Sequence, residues 1–573
     1  MRKPPVRRLI ALFAFLTFGL TGIVLRLAVL QVRDASAYAE LAERQRVREI
    51  DLAARRGSIL DRDRQPLAMS LDSRDVYADP TLVTDLPGTA SILAQTLHLK
   101  ERDVEDALRH PSSPSFVYID RQVDLGVAER IEKMGLPGVE SLPSSRRVYP
   151  NGPLASQVLG FVNVDGEGGD GLELQYEKAL AGRPGQRILE RDPNGHIIPQ
   201  GVSHDHPPVP GSSVVTTIDK ELQYRAQTAL RDAVRGNRAK GGSLIVMDPR
   251  NGDVLAMATY PWFDPNHYSD YPQEAYRSLP ITAVYEPGSV NKVITAAGAI
   301  EENVIPLTKT LDVPDTWQVS DHLFHDAHEH PPTQMTLADI ISQSSNIGTI
   351  RIASMLGPDR LYDYLTKFGL GRKTGIGYPG EVDGILRPRN EWYGTDMGTI
   401  PVGQGVAATP LQMATVYATI ANGGVWVRPR LVQGIVDPDG SYHAAEPSMR
   451  RRVISRRTDE TLTRILAYAV EAGTGTLAQV PGYWVAGKTG TALIPDPQGG
   501  YYAGRYVASF IGFLPASRPR LVIAAILDQP VTEYGGIASA PLFQQVARYA
   551  IARLRIPSAP KPPTPPHAIP YEP

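Results

Sequence analysis

The longest apolar stretch of the chain runs from Leu9 to Leu25 without a charge, is broken at Arg26 and resumes over Leu27–Leu30. Seventeen uncharged residues reach the lower end of the roughly 17–25 that cross a bilayer as a helix. Arg26 lies close enough to the end of the run to snorkel to the interface. Arg2, Lys3, Arg7 and Arg8 precede it, the basic flank that stays on the cytoplasmic side. The expectation is an uncleaved anchor over 9–30, with 1–8 cytoplasmic and the rest of the chain outside the cell membrane. Ala35-Ser36-Ala37 mimics a signal-peptidase site, but the apolar run is long and ends well before it.

Beyond the anchor the pattern changes repeatedly. Residues 31–50 are charged and read as a helical stalk. Lys220–Gly236 places Leu222, Ala226, Leu230 and Ala233 at helical spacing. Ser243–Asp248 and Asp253–Tyr260 are apolar and β-branched, joined by Pro249-Arg250-Asn251-Gly252, the signature of a hairpin. From 289 to about 425 the period is mostly helical. Strands return at Lys488–Ala492, Tyr506–Leu514 and Leu521–Leu527, and a helix covers Pro541–Leu554. One sheet is thus expected from both ends of a domain, with a helical insert between them. The polar, Pro-rich stretch His204–Pro210 marks the boundary with what precedes. Residues 556–573 are Pro-rich and predict a disordered tail.

At 573 residues the chain exceeds one domain. A net charge of −2 argues against nucleic acid as a partner. No cysteine is present, so disulfides, thiolate catalysis and zinc–thiolate sites are excluded.

The candidate chemistry starts at Glu286-Pro287-Gly288-Ser289-Val290-Asn291-Lys292. Pro287 and Gly288 break what precedes, and Val293, Ile294, Ala297 and Ile300 keep helical spacing after it. Ser289 then stands at a helix N-terminus with Lys292 on the same face. A desolvated lysine can take the proton of a serine hydroxyl, and the helix end favours a developing oxyanion. Alone, the tetrapeptide reads first as a serine cap followed by a surface lysine. Ser344-Ser345-Asn346 follows the helical segment Thr336–Ile341, and Lys488-Thr489-Gly490-Thr491 opens a strand. Each is bland singly. In this order, at separations of 55 and 144 residues, the three form the motif set of the penicillin-binding proteins and class A β-lactamases.

The chain resembles the penicillin-binding protein transpeptidases, specifically class B. Arg55-Arg56-Gly57-Ser58-Ile59-Leu60-Asp61-Arg62 with Leu67-Ala68 is similar to the opening of that class's non-catalytic domain. Arg64 departs from it where the family has Gly, so a left-handed turn there would need rebuilding. Tyr149-Pro150, Gly171-Leu172-Glu173 with Tyr176, and Leu180-Ala181-Gly182 are further landmarks, as are Gly403-Gln404-Gly405 and Thr409-Pro410. Tyr534-Gly535-Gly536 with Ala540-Pro541 and Phe543 resembles the division branch.

The resemblance implies an α+β fold: an N-terminal transmembrane helix, a stalk and elongated pedestal over 31–203, and a transpeptidase domain over 204–555. That domain would have a five-stranded antiparallel sheet flanked by helices and a helical subdomain. It implies peptidoglycan D,D-transpeptidation, with Ser289 as nucleophile, Lys292 as base, Ser344 as proton relay and Asn346 as orienting group. Lys488, Thr489, Gly490 and Thr491 would bind the donor, and the N–H groups of Ser289 and Thr491 would form the oxyanion hole. No cofactor is implied. The implied partners are stem peptides, β-lactams, the membrane, a SEDS-type glycosyltransferase (shape, elongation, division and sporulation) and other divisome or elongasome proteins. Two other readings stay open: a serine β-lactamase or D,D-carboxypeptidase, and a non-catalytic β-lactam sensor or scaffold. His322, His325, Asp326, His328, Glu329 and His330 crowd together like a metal site, but solvated loop histidines are the commoner case.

Overall fold

A computed structural model of the chain describes residues 6–33, 47–111, 113–190, 203–532 and 534–565. The apolar run forms a helix, Val6–Ala28, extended by a π-helical turn, Val29–Arg33. None of its residues is buried, and Leu9, Phe13, Phe15 and Phe18 point outward. Over Val6–Arg33 it is long and apolar enough to cross a membrane. The Ala35-Ser36-Ala37 triplet and most of the expected stalk lie outside the described residues. Where description resumes the backbone is a strand, Val47–Leu52, paired antiparallel with Gly185–Glu190, which corrects the helical reading of 31–50 at its end. The partner is more than 130 residues away, so the local charge pattern carries no trace of the pairing.

The pedestal is built on a long strand, Pro66–Ala78, paired antiparallel with Val139–Val148 and with Val117–Asp124. Three helices, Leu86–Leu97, Glu101–Arg109 and Leu125–Met134, close over it around Val76, Leu93, Leu108 and Ile131. The class B landmarks meet in one buried ion network. Arg56 Nε lies 2.7 Å from Glu173 Oε2 and its Nη2 2.7 Å from Glu177 Oε2, while Arg147 Nε holds Glu173 Oε1 at 2.7 Å. Breaking one partner would strand a buried charge, a loss of several kcal/mol. Arg64 adopts φ +62°, so the turn keeps its left-handed residue without glycine. Asp61 Oδ1 accepts the N–H groups of Asp63 and Gln65, and the Arg64 guanidinium lies 5.2 Å over Tyr442.

The pedestal sheet does not end at residue 204. Ser203–His206 pairs with Gly185–Glu190 in a separate three-stranded sheet, while Ser213–Thr216 runs parallel to Ile59–Leu60 in the pedestal sheet. Val432–Val436 and Tyr442–Ala444 continue the pedestal sheet from the far side of the helical insert.

The catalytic-type domain centres on five antiparallel strands in the order Val254–Tyr260, Gly241–Met247, Leu521–Asp528, Tyr501–Leu514, Ala486–Pro495. Both faces are covered, so successive residues alternate between two cores rather than between core and water. Leu244, Val246, Phe510 and Ile523 pack with Leu222, Leu230 and Phe543 of helices Lys220–Gly236 and Ala540–Arg553. Ile245, Met247, Ile511 and Val522 face the insert, whose wholly buried helix Pro410–Ile420 lies on the sheet. The expected helical period holds at Lys292–Glu301, Leu337–Ser342, Asn346–Leu356 and Pro358–Phe368. Between the first two, residues 311–335 fold instead into two small ribbons.

The start of the Pro-rich tail is packed, not loose. Ile556, Pro562 and Pro565 are buried, Ala559 is half-buried, and the residues between are mostly exposed. Inward positions every third residue are what a polyproline II segment presents to a surface. Tyr483 donates to the Ile556 carbonyl at 2.6 Å, and Lys561 sits 4.6 Å over Trp484.

Candidate active site

Ser289 lies in a 3₁₀ turn, Gly288–Asn291, that feeds directly into helix Lys292–Glu301. Three groups fix this turn from the 400–405 loop and the helix behind. Gly288 N donates to the Gly403 carbonyl at 3.0 Å, Asn291 Nδ2 to Ile400 O at 3.0 Å, and Tyr417 OH to Val290 O at 3.1 Å. Gly288 has φ +58°, and a Cβ there would sit 2.8 Å from the Thr491 carbonyl oxygen. A Cβ on Gly403 would fall 2.1 Å from Gly288 O. The two glycines let three backbone segments approach where no side chain would fit.

Lys292 is fully buried. Its Nζ donates to Ser344 O at 2.5 Å and to Asn346 Oδ1 at 2.7 Å, with Ser344 Oγ at 3.4 Å. Burial lowers its pKa to about 7, while the Asp326 carboxylate acts in the opposite direction. When the amine is neutral, its two N–H bonds match the two acceptors and its lone pair remains for a proton.

Ser344 follows helix Leu337–Ser342, which opens on a capping box of Thr336 and Asp339. Its backbone is left-handed, φ +65°, and this turns both its carbonyl and its hydroxyl toward Lys292. Such a conformation costs a non-glycine residue about 1–2 kcal/mol, so the surrounding contacts must hold it. Ser345 caps the next helix, accepting from Gly348 N at 2.8 Å.

The third motif lies on the edge strand Ala486–Pro495, beside the Ser289 turn. Lys488 is fully buried, with Nζ 3.2 Å from Thr489 O and 3.3 Å from Thr489 Oγ1. Burial, then the charge of Lys292, pushes its pKa well below the usual lysine range. Thr489 Oγ1 shares a hydrogen bond with Thr474 Oγ1 at 2.8 Å. Gly490 is the contact with the Ser289 turn: a Cβ there would meet Ser509 Oγ at 2.4 Å, Val290 Cγ1 at 2.9 Å and Pro287 O at 3.1 Å. Thr491 Oγ1 accepts from Gly535 N at 3.1 Å, which ties the strand to the Tyr534-Gly535-Gly536 segment.

All eight residues singled out in the three motifs thus come together at the junction of sheet and insert. Sequence reasoning missed Glu286, which spans the turn: its Oε1 accepts from Gly405 N at 2.8 Å and its Oε2 from Tyr501 OH at 3.0 Å. Burial raises its pKa against these two hydrogen bonds. Its position three residues before Ser289 was the available signal. Asp326 was seen only as part of a histidine cluster. Among the described residues no group of three or more His, Cys, Asp or Glu is arranged to hold a metal ion.

Residues 242–548 match the penicillin binding protein transpeptidase domain, and residues 51–216 the penicillin-binding protein dimerisation domain. The chain belongs to the penicillin-binding protein transpeptidases, in the two-domain arrangement of class B. It is 36% identical to penicillin-binding protein PbpB of Mycolicibacterium smegmatis over 94% of this chain and 89% of that protein. It is 33% identical to peptidoglycan D,D-transpeptidase FtsI of Escherichia coli over 90% and 87% of the two chains. Among solved structures, penicillin binding protein 3 of Mycobacterium tuberculosis in complex with aztreonam superposes with a TM-score of 0.72 at 31% identity. That match covers 91% of this chain and all of the other.

Proposed function

We propose that the protein is a membrane-anchored peptidoglycan D,D-transpeptidase acting through a Ser289 acyl-enzyme and blocked by β-lactams. The observation that carries the reading is Lys292: one helical turn from Ser289, fully buried, and held by two acceptors with its pKa near 7. A nucleophile needs a base that is neutral at working pH, and this burial supplies it.

In this reading Lys292 takes the Ser289 proton as Oγ attacks the carbonyl of the penultimate D-alanine. The N–H groups of Ser289 and Thr491 receive the developing oxyanion. The C–N bond breaks, and Ser344 relays the proton to the departing D-alanine amine. Lys488, with the Thr489 and Thr491 hydroxyls, binds the donor's terminal carboxylate while Gly490 keeps the strand close to the turn. Asn346 orients Lys292 and bonds the donor backbone. An amine of a second stem peptide then attacks the ester, forming the cross-link and freeing Ser289. A β-lactam acylates Ser289 in the same way, but no leaving group departs to make room for an acceptor.

The basic residues before the apolar helix support a cytoplasmic N-terminus and a cleft on the outer side of the cell membrane. Tyr534-Gly535-Gly536, Ala540-Pro541 and Phe543 support the division branch, and a SEDS-type polymerase is the proposed source of donor strands. The test is reconstitution of the chain with such a polymerase in one bilayer. Confinement makes the encounter nearly intramolecular, so cross-linked dimers and equimolar D-alanine are expected, both lost with Ser289→Ala. D-alanine release without cross-links would make the protein a carboxypeptidase, and release of penicilloate within seconds a β-lactamase. Penicillin labelling with neither product would make it a sensor.

A further inference from the structure

The histidine-rich loop has no part in the chemistry above. Its ribbon, Thr316–Val319 paired with His322–His325, leaves His322, His325 and His328 exposed. Asp326 instead turns inward, with 6% of its side chain exposed. Its carboxylate sits against the N-terminal end of helix Asn346–Leu356. Oδ1 accepts the backbone N–H of Asn346 and, at 3.1 Å, that of Ile347. Oδ2 accepts from Ser345 Oγ at 2.7 Å and faces His330 Nε2 at 3.1 Å. A carboxylate suits this helix end, where N–H groups lack intrahelical partners. His330 is held from its other side, with Nδ1 2.8 Å from the Pro331 carbonyl. Both of its partners are acceptors, so the ring satisfies both only as the imidazolium. The same loop sets the Asn346 amide: Nδ2 donates to His325 O at 3.0 Å, leaving Oδ1 to meet Lys292 at 2.7 Å.

We infer that Asp326 and His330 are positioning residues for the acylation step, a clamp that fixes Ser345 and Asn346 and, through Asn346, the amine of Lys292 opposite Ser289. The inference rests on the reading of Lys292 as the base. The side chain of Asp326 touches Ser345, His330 and the backbone N–H groups of Asn346 and Ile347, not the reacting atoms, so it works through Asn346. Its charge also acts on Lys292, and burial, hydrogen bonds to Pro331 and Asp326 and the charge of Asp315 act on His330. Lys488 faces Lys292 from the edge strand. Removing the Asp326 charge favours neutral Lys292, so the acid limb of acylation should move to lower pH even as its plateau falls.

The test compares Asp326→Asn, His330→Ala and His330→Gln in the anchored protein. A fluorescent penicillin separates the first-order acylation rate from the initial affinity across the pH range, with melting temperatures alongside. Asp326→Asn should lower the first-order rate about tenfold to a hundredfold, the loss expected for a charged acceptor of several hydrogen bonds. Affinity should fall less than the rate, because the donor-binding strand is untouched and only the Asn346 contact with the donor is disturbed. His330→Ala should lower the rate, and His330→Gln, which still donates to Asp326, should restore most of it. A parent-like rate and acid limb in Asp326→Asn would overturn the clamp. So would equal rates in the two His330 variants, a comparison that stands even if Asp326→Asn does not fold. A parent protein that acylates away from Ser289, or shows no acid limb, would overturn the underlying reading instead.

Discussion

The burial of Lys292 makes a quantitative forecast about pH. With a pKa of about 7, the neutral amine is about 9% of the population at about pH 6, half at about pH 7 and about 90% at about pH 8. The first-order rate of acylation should therefore rise close to tenfold over that interval and then level off. The sign follows from the base role: protonation on the acid side removes the lone pair that accepts the Ser289 proton. A solvated lysine, with a pKa near 10.4, would keep gaining about tenfold per unit up to about pH 9 and beyond. The two profiles differ in shape as well as position, so the distinction does not depend on absolute rate. Stopped-flow acylation by a fluorescent penicillin, whose own carboxylate stays ionised throughout, measures it directly. Initial affinity should follow a separate course, weakening as pH rises, because it reports the charge on Lys488. A flat rate, or one still climbing in proportion to hydroxide above about pH 8.5, would refute burial as the activating device.

Other substitutions probe the remaining contacts. Lys292→Arg should lose more than about tenfold in acylation although charge is kept, since a guanidinium does not deprotonate at working pH; labelling by penicillin checks it. Gly490→Ala puts a methyl 2.4 Å from Ser509 Oγ and 2.9 Å from Val290 Cγ1. It should destabilise by about 1–3 kcal/mol in denaturant unfolding and slow acylation by moving the Ser289 turn. Deleting residues 557–573 removes buried Pro562 and Pro565 and the cation over Trp484. The Lys561–Glu471 pair is part-exposed and adds little, so a loss of about 1–3 kcal/mol is expected from burial and the ring contact. Thermal melting unchanged by the deletion would contradict a docked tail.

What the sequence made legible was chemistry tied to short motifs and to regular periods. The structure brings Ser289, Lys292, Ser344, Asn346 and Lys488 to one junction, and each motif keeps its own local context, a turn before a helix or a strand entry. The hairpin around Pro249-Arg250-Asn251-Gly252 and helix Lys220–Gly236 were legible for the same reason. Pairings between distant segments were not. Val47–Leu52 meets Gly185–Glu190, and Val432–Val436 joins Ser213–Thr216, without any signal within a window of the chain. Asp326 lies 18 residues before Ser344 among histidines, and only the folded ribbon turns it toward the helix end. Proline-rich composition predicts disorder over 556–573, but within the described part, 556–565, every third residue faces the domain.

The most direct measurement of the central claim is the site of the covalent adduct. The anchored protein is treated with penicillin at neutral pH, digested and mapped by mass spectrometry. The account predicts one penicilloyl ester, on Ser289, absent from Ser289→Ala while that variant melts at the parent temperature. An adduct on any other residue, or labelling that survives in folded Ser289→Ala, would contradict it.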